Sequence, residues 1–391
     1  MNQSTPLSRS LFTLGAALTT FAALTGCSSG PSAPQPAKNL YVLNYSSSNS
    51  VESDTVLAFA TTSTGTATPS ATLNLPTNFD AWAVATGPNG EIYVSGEQEP
   101  NPTSGEILVY PAGSTGTATP SATLTGSTTP NNGTFTYADY ITVNSKGTLF
   151  VVSDDYTIES FAAGATSATS PAQYITWGAQ QNSDSQTNFS EVYSIAADST
   201  GTLYVMDYGN STVDVFAAGA AGTTAPTRTI TGTASAPFSE VYEIAIDPSD
   251  NLYVANLNEA DLPSEPVVQR NTQPSTRHLP AHLVHSLTRA YPRSGPPALE
   301  TSIIVFAPGA SGTPTPTRTL AGSSTGIIYP AALAVDNAAN LYYMDYYAYG
   351  YQSGPTPLMV FPATATGNVA PTRTFTATAL TDPEFGTIAD F

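Results

Sequence analysis

The chain has 391 residues and carries 10 Lys and Arg against 29 Asp and Glu, a formal net charge of −19. A surface this acidic argues against binding to phosphate backbones and to anionic lipid headgroups, and it suffices for solubility. Charged residues make up only 10% of the chain, well below the roughly 25% of an average soluble domain. The 21 Tyr and 15 Phe supply a sizeable core and exclude disorder throughout, and the single cysteine excludes an intrachain disulfide framework.

At the N-terminus, Arg9 precedes an apolar run from Leu11 to Leu24, and small residues follow at Thr25-Gly26-Cys27. A basic start, a short apolar core and a small-residue exit predict a signal peptide over 1–26. The run falls short of the about 20 residues that a membrane span needs. Leu24-Thr25-Gly26-Cys27 resembles the lipobox of bacterial lipoproteins. The resemblance implies that Cys27 is lipidated and becomes the first residue of the mature chain. It also implies localisation in the cell envelope, and Ser28 resembles lipoproteins sent to the outer membrane rather than the inner one. Residues 27–38 are rich in Pro and Ser and predict an extended tether, at about 3 Å per residue where polyproline-like.

From residue 39 onward one tripeptide recurs: Leu40-Tyr41-Val42, Ile92-Tyr93-Val94, Leu149-Phe150-Val151, Leu203-Tyr204-Val205, Leu252-Tyr253-Val254 and Leu341-Tyr342-Tyr343. The spacing is about 50 residues, the period of a stacked or radial repeat, once an insert near residue 280 is set aside. Upstream of each copy but the first lies an alternating apolar strand, as in Tyr193-Ser194-Ile195-Ala196 and Tyr242-Glu243-Ile244-Ala245. A turn opened by Asp or Asn joins the two, as in Asp198-Ser199-Thr200-Gly201. A third strand follows, such as Val213-Asp214-Val215-Phe216. A fourth is rich in Thr, with Pro-Thr-Arg-Thr at 226–229, 316–319 and 371–374.

Four short antiparallel strands per unit predict an all-β, six-bladed β-propeller over 39–391. The ends predict how it closes. Ile388-Ala389-Asp390 matches a first strand and then stops, whereas Asn39-Leu40-Tyr41-Val42 matches a second strand. The C-terminal strand should therefore pair with the N-terminal strands and remove two open edges. The stretch Leu203–Phe216, with Asp207 and Gly209-Asn210 between two strands, resembles the NHL repeat. That resemblance implies the propeller fold, and it leaves function open because such rings serve as binding modules, scaffolds and enzymes.

Residues 259–300 break the pattern between the second and third strands of unit five. They hold Arg270, Arg277, Arg289, Arg293, His278, His282 and His285. They are expected to form a disordered surface loop, introduced by insertion or by a shifted reading frame. On a helix the three histidines would share a face, but Pro280 spoils that register.

Chemistry is sparse. Gly322-Ser323-Ser324-Thr325-Gly326 fits the letters of a nucleophile elbow but lies between strands, where a turn is expected. No histidine stands in the repeats to act as base. Two residues beyond each tripeptide stand Asn44, Gly96, Ser153, Asp207, Asn256 and Asp345. If these reach the channel mouth they make a polar collar able to hold Ca2+ or a sugar hydroxyl. The same residues also suit turn caps. Tyr208, Tyr346 and Tyr347 beside them would stack on a sugar or pack in the core. The expected function is a membrane-tethered, monomeric binding or scaffold module for an envelope protein or glycan. The alternative is a metal-assisted lactonase- or lyase-like enzyme using the collar acids.

Overall fold

The computed structural model describes residues 39–44, 47–48, 51–98, 105–125, 138–153, 157–167, 169–176, 189, 192–233, 238, 240–257, 301–328, 330–345, 357–380 and 388–390. Blade one consists of Ile388–Asp390, Asn39–Asn44, Thr55–Ala60 and Ala71–Asn74, from the axis outward. Blade two has Phe79–Thr86, Ile92–Gln98, Glu106–Tyr110 and Ala122–Thr125. Blade three has Ala138–Val143, Leu149–Ser153, Ile158–Phe161 and Gln173–Ile175. Blade four follows with Val192–Ala197, Leu203–Asp207, Thr212–Phe216 and Arg228–Ile230. Blade five has Glu240–Ile246, Leu252–Leu257, Ser302–Phe306 and Arg318–Ala321, and blade six Pro330–Val335, Leu341–Asp345, Leu358–Phe361 and Arg373–Thr376. Within each blade neighbouring strands are antiparallel.

The ring closes as the termini predict. Leu40 pairs with Asp390, Tyr41 with Ala389 and Val42 with Ile388, so the last strand of the chain is the innermost strand of blade one. The fold is thus a six-bladed β-propeller. The predicted signal peptide and tether, with Cys27, and the segment 259–300 lie outside the described residues.

The recurring tripeptide is explained by packing. Strand residues alternate faces, and the second strand of a blade is sandwiched by both neighbouring blades. Leu203 and Val205 pack toward blade three, with Phe150, Val152 and Ile175. Tyr204 and Met206 pack toward blade five, with Val241, Leu252 and Val254. Leu252 and Val254 in turn face blade four, while Tyr253 and Ala255 join Leu333 and Leu341 of blade six. The same rule closes the circle, because Leu40 and Val42 pack with Tyr342, Met344 and Phe375 of blade six. Each interface is a separate apolar cluster, and each fully buried side chain of this size contributes about 1.5–3 kcal/mol.

The turns form as the sequence predicts. Asp198 Oδ1 accepts from Thr200 N at 2.9 Å and Thr202 N at 2.8 Å, and Asp247 and Asp336 repeat the arrangement in blades five and six. Burial works to raise the Asp198 carboxyl, but the bonds from Thr200 and Thr202 outweigh it and hold it below the usual carboxylate range.

The Pro-Thr-Arg-Thr segments bolt neighbouring blades together. Thr227, Thr317 and Thr372 donate back to the third strand of their own blade, to Val215 O, Val305 O and Val360 O at 2.9, 3.0 and 3.1 Å. The arginines reach further. Arg318 lies 5.3 Å from the ring centre of Tyr253 and donates to its hydroxyl at 2.7 Å and to Ala363 O of blade six. Arg228 does the same toward Tyr204 and Ala310 O, and Arg373 toward Tyr342 and Thr61 O of blade one. Tyr253 and Tyr342 donate onward to Asp247 and Asp336, at 3.3 and 3.1 Å. Outer strands also pair in parallel with the next blade's hairpin, as in Ile230 with Gly312 and Leu320 with Gly367. Where blade three has Ser167 in place of that glycine, the Ser167 hydroxyl accepts from Thr123 N at 2.9 Å instead. Arg318→Leu is expected to cost about 2 kcal/mol by losing the stacked cation and its bonds. Urea unfolding measures this, and Arg318→Lys should recover less than half of the loss, since ammonium lacks the planar fork.

Candidate functional site

The innermost strand of each blade is paired on one side only, and its other edge faces the axis. These edges border a channel of about 210 Å³, lined among the described residues by the inner strands of blades two to six. Its wall presents backbone polar groups together with small or apolar side chains such as Val84, Ala85, Ile141, Ala196, Ala245 and Leu333.

Each of these inner strands carries a bulge near its start, at Trp82, Asp139, Tyr193, Tyr242 and Ala331. The bulge re-aims the residues that follow. The residue directly after it occupies one equivalent level in every blade: Ala83, Tyr140, Ser194, Glu243 and Ala332, paired with Ser95, Val152, Met206, Ala255 and Met344. Tyr140, Ser194, Glu243 and Ala332 line the channel.

Among the described lining residues Glu243 is the one carboxyl. Ser194 Oγ, from the neighbouring blade, donates to Glu243 Oε2 at 2.8 Å and accepts from Ile244 N at 3.3 Å. Burial among the inner strands pushes the Glu243 carboxyl up to about 8, against the opposing pull of the Ser194 and Ile244 bonds. At neutral pH this side chain is therefore mainly a neutral acid. Sequence reasoning passed over it as a strand residue. The signal was present all the same: Glu stands in an inner strand whose equivalents in blades two and six are alanines.

The five polar residues of the proposed collar, Asn44, Ser153, Asp207, Asn256 and Asp345, are buried at the ends of the second strands. Ser153, Asp207, Asn256 and Asp345 pair with Ala138, Val192, Val241 and Pro330, just ahead of the bulges. They hold equivalent places, one per blade. Ser153 Oγ donates to Thr157 O at 3.2 Å, and the Asn44 amide donates to Thr55 Oγ1 at 3.4 Å. Asp207 accepts from Asn210 N and Nδ2 at 3.2 and 2.7 Å, and Asp345 from Ile328 N and Tyr343 Oη at 2.8 and 3.0 Å. None of the five is among the described residues that line the channel. Blade two has glycine here for a steric reason. A Cβ on Gly96 would lie 2.2 Å from Asp80 O and 2.7 Å from the Phe79 ring. Among the described residues, no group of three His, Cys, Asp or Glu side chains is placed to hold a metal ion.

Tyr208 stacks on Tyr193 with ring centres 4.3 Å apart and meets Tyr242 edge-on at 5.5 Å, so it packs against the two bulge residues of blades four and five. Tyr346 and Tyr347, and the three histidines, lie outside the described residues. The stretch Gly322–Gly326 is a turn, in which Thr325 N and Oγ1 both donate to Gly322 O.

No protein-family profile matches the chain, and no curated protein matches it in sequence. Among solved structures, a protein of unknown function from Bacteroides caccae aligns over 91% of this chain and 99% of its own, at a TM-score of 0.53 and 10% identity. The WD40 β-propeller domain of Doa1 aligns over 87% of this chain and 84% of its own, at a TM-score of 0.44 and 10% identity. At such identities the likeness to the Bacteroides caccae protein speaks for fold alone, and the chain is a six-bladed β-propeller.

Proposed function

We propose that this protein is a lipid-anchored envelope module, tethered through Cys27, that binds or organises an envelope protein or glycan on a rigid ring. The observation that supports it best is the closed ring itself. Several side chains with chemical potential are used to brace it: the Asp247–Tyr253–Arg318 chain reaches Ala363 of the next blade, Asp207 holds Asn210 in the turn of its own blade, and Asp345 accepts from Ile328 N. What remains is a stiff wheel with an axial channel, which suits display and recognition. The NHL-like reading draws support from blade four, where Asp207 holds Asn210 and so forms the turn between the second and third strands. The anchor and the tether rest on the lipobox-like Leu24–Cys27 and the Pro/Ser segment after it. The ring is read as a monomer at the outer membrane.

Full-length Cys27→Ser is expected to leave the membrane fraction and appear in the soluble fraction, while the unaltered chain sediments with membranes. Fractionation followed by immunoblotting measures this. A variant that still sediments with membranes overturns the anchor.

A further inference from the structure

We infer that the seam between blades two and three is a conformational joint, at which the ring opens and recloses while each blade stays intact. The inference goes beyond the binding-module reading and does not depend on it.

The other five seams share one stitch at the rim. A glycine in the hairpin of the following blade bonds the outer strand of the blade before it. Gly312 N donates to Thr229 O and Gly312 O accepts from Thr231 N, both at 2.7 Å. Gly116, Gly222 and Gly367 repeat this at three more seams, and Gly65 pairs with Phe375 where blade six meets blade one. All five glycines have φ between 60° and 70°, a left-handed conformation that is costly for a residue with a Cβ. Blade three has Ser167 at this place, and Ser167 does not adopt that conformation. The two-bond stitch is missing there among the described residues, and the Ser167 hydroxyl accepts from Thr123 N in its stead.

The second brace is missing as well. Arg228, Arg318 and Arg373 each stand opposite a third-strand valine, and in blade two that place, opposite Val109, belongs to Ala122. Blade three fills it with Gln173, whose Nε2 donates to Gly219 O of blade four at 3.1 Å. The methyl group of Ala122 has no donor to offer blade three. Blade one also has an alanine there, Ala71, but its seam keeps the Gly116 stitch and a bond from Ala81 N to Asp54 Oδ2 at 3.2 Å.

The interior of the seam carries the third departure. Ser95 pairs with Ala83 and Ile107, which both belong to the apolar cluster between blades two and three. Its Oγ is buried without a hydrogen-bond partner among the described residues. At the same level Val152, Met206 and Met344 fill the seams that follow their own blades. A buried hydroxyl without a partner gains bonds when water reaches it, which favours the open seam. The three departures coincide here, so opening concentrates at this seam. It parts without breaking a blade, since each sheet keeps its own four strands.

Thiol labelling tests this. Val151, Val205 and Val254 hold equivalent places at the seams between blades two and three, three and four, and four and five, and each is 0% exposed. Each is replaced by Cys in the full-length chain carrying Cys27→Ser, which removes the one native thiol. The rate of labelling by N-ethylmaleimide under native conditions is divided by that of the same variant unfolded in urea. Val151→Cys is expected to label at least about tenfold faster than Val205→Cys and Val254→Cys. Ile107→Cys and Ile303→Cys, at equivalent buried places in the third strands of blades two and five, repeat the comparison from the other side, and Ile107→Cys should be the faster. This second pair decides the matter if a valine variant fails to fold by circular dichroism. Ser95→Ala should slow the labelling of Val151→Cys by at least about threefold, because opening then gains no hydroxyl bonds. Labelling at Val151→Cys no faster than at the other two seams, the same result for the isoleucine pair, or a rate that Ser95→Ala leaves unchanged would each overturn the joint.

Discussion

A chain ending at residue 387 is expected to lose about 3–5 kcal/mol of stability and about 10 °C in Tm. The deletion removes the innermost strand of blade one, with its pairings to Leu40, Tyr41 and Val42. It turns Asn39–Asn44 into an unprotected inner edge and converts a ring into an arc. Every other blade keeps its own four strands, so the loss measures closure. Differential scanning calorimetry gives the number, and the truncated chain should also aggregate on heating because an open edge templates pairing. Ala389→Pro provides a version that keeps the length. It removes a ladder donor opposite Tyr41 and should cost about 3 kcal/mol. If both variants melt with the intact chain, the ring does not depend on its C-terminal strand.

Stability should fall as pH rises from about 4.5 to about 8, and Glu243→Gln should remove most of that slope. Glu243 has its carboxyl raised from an ordinary 4.5 to about 8 by burial. Between those values the folded chain holds a proton that the unfolded chain has released. The derivative of unfolding free energy with pH is therefore negative in that window. Each pH unit in the window is worth about 1.4 kcal/mol, so the total is on the order of 5 kcal/mol. Asp214, which accepts from Thr229 Oγ1 at 2.6 Å and is raised by burial to about 6, adds a smaller fall between about 3.8 and 6. Asp198 acts in the opposite sense: its carboxyl is depressed, so its contribution is lost as pH falls through the carboxylate range. Self-repulsion of the acidic chain also grows with pH. Glu243→Gln separates the local effect from this general one. Urea unfolding at about pH 5, 6.5 and 8.5 should show the variant more stable than the parent only at the higher values. A variant with the parent's full slope would show that Glu243 is not the group responsible.

The linear order of residues determined the local elements, the number of blades and the closure. Leu-Tyr-Val repeats because a strand sandwiched between two blades must be apolar on both faces, and the Asp- or Asn-led turns form from contacts within a few residues. Pro-Thr-Arg-Thr was legible as a strand, yet the arginine's bond to the next blade depends on a carbonyl 45 residues away at Ala363. The collar positions were legible as a series. Their partners were not, since a side chain at the end of a second strand meets whatever the neighbouring turn and bulge bring to it, as Asp345 meets Ile328 N. Glu243 shows the limit most plainly. Alternation tells which residues share a face, but when both faces are buried it does not tell which strand edge borders the axis. Only the assembled ring, with its bulges, sets Glu243 beside Ser194 of another blade and encloses both in the channel, because proximity across blades arises from packing rather than from position along the chain.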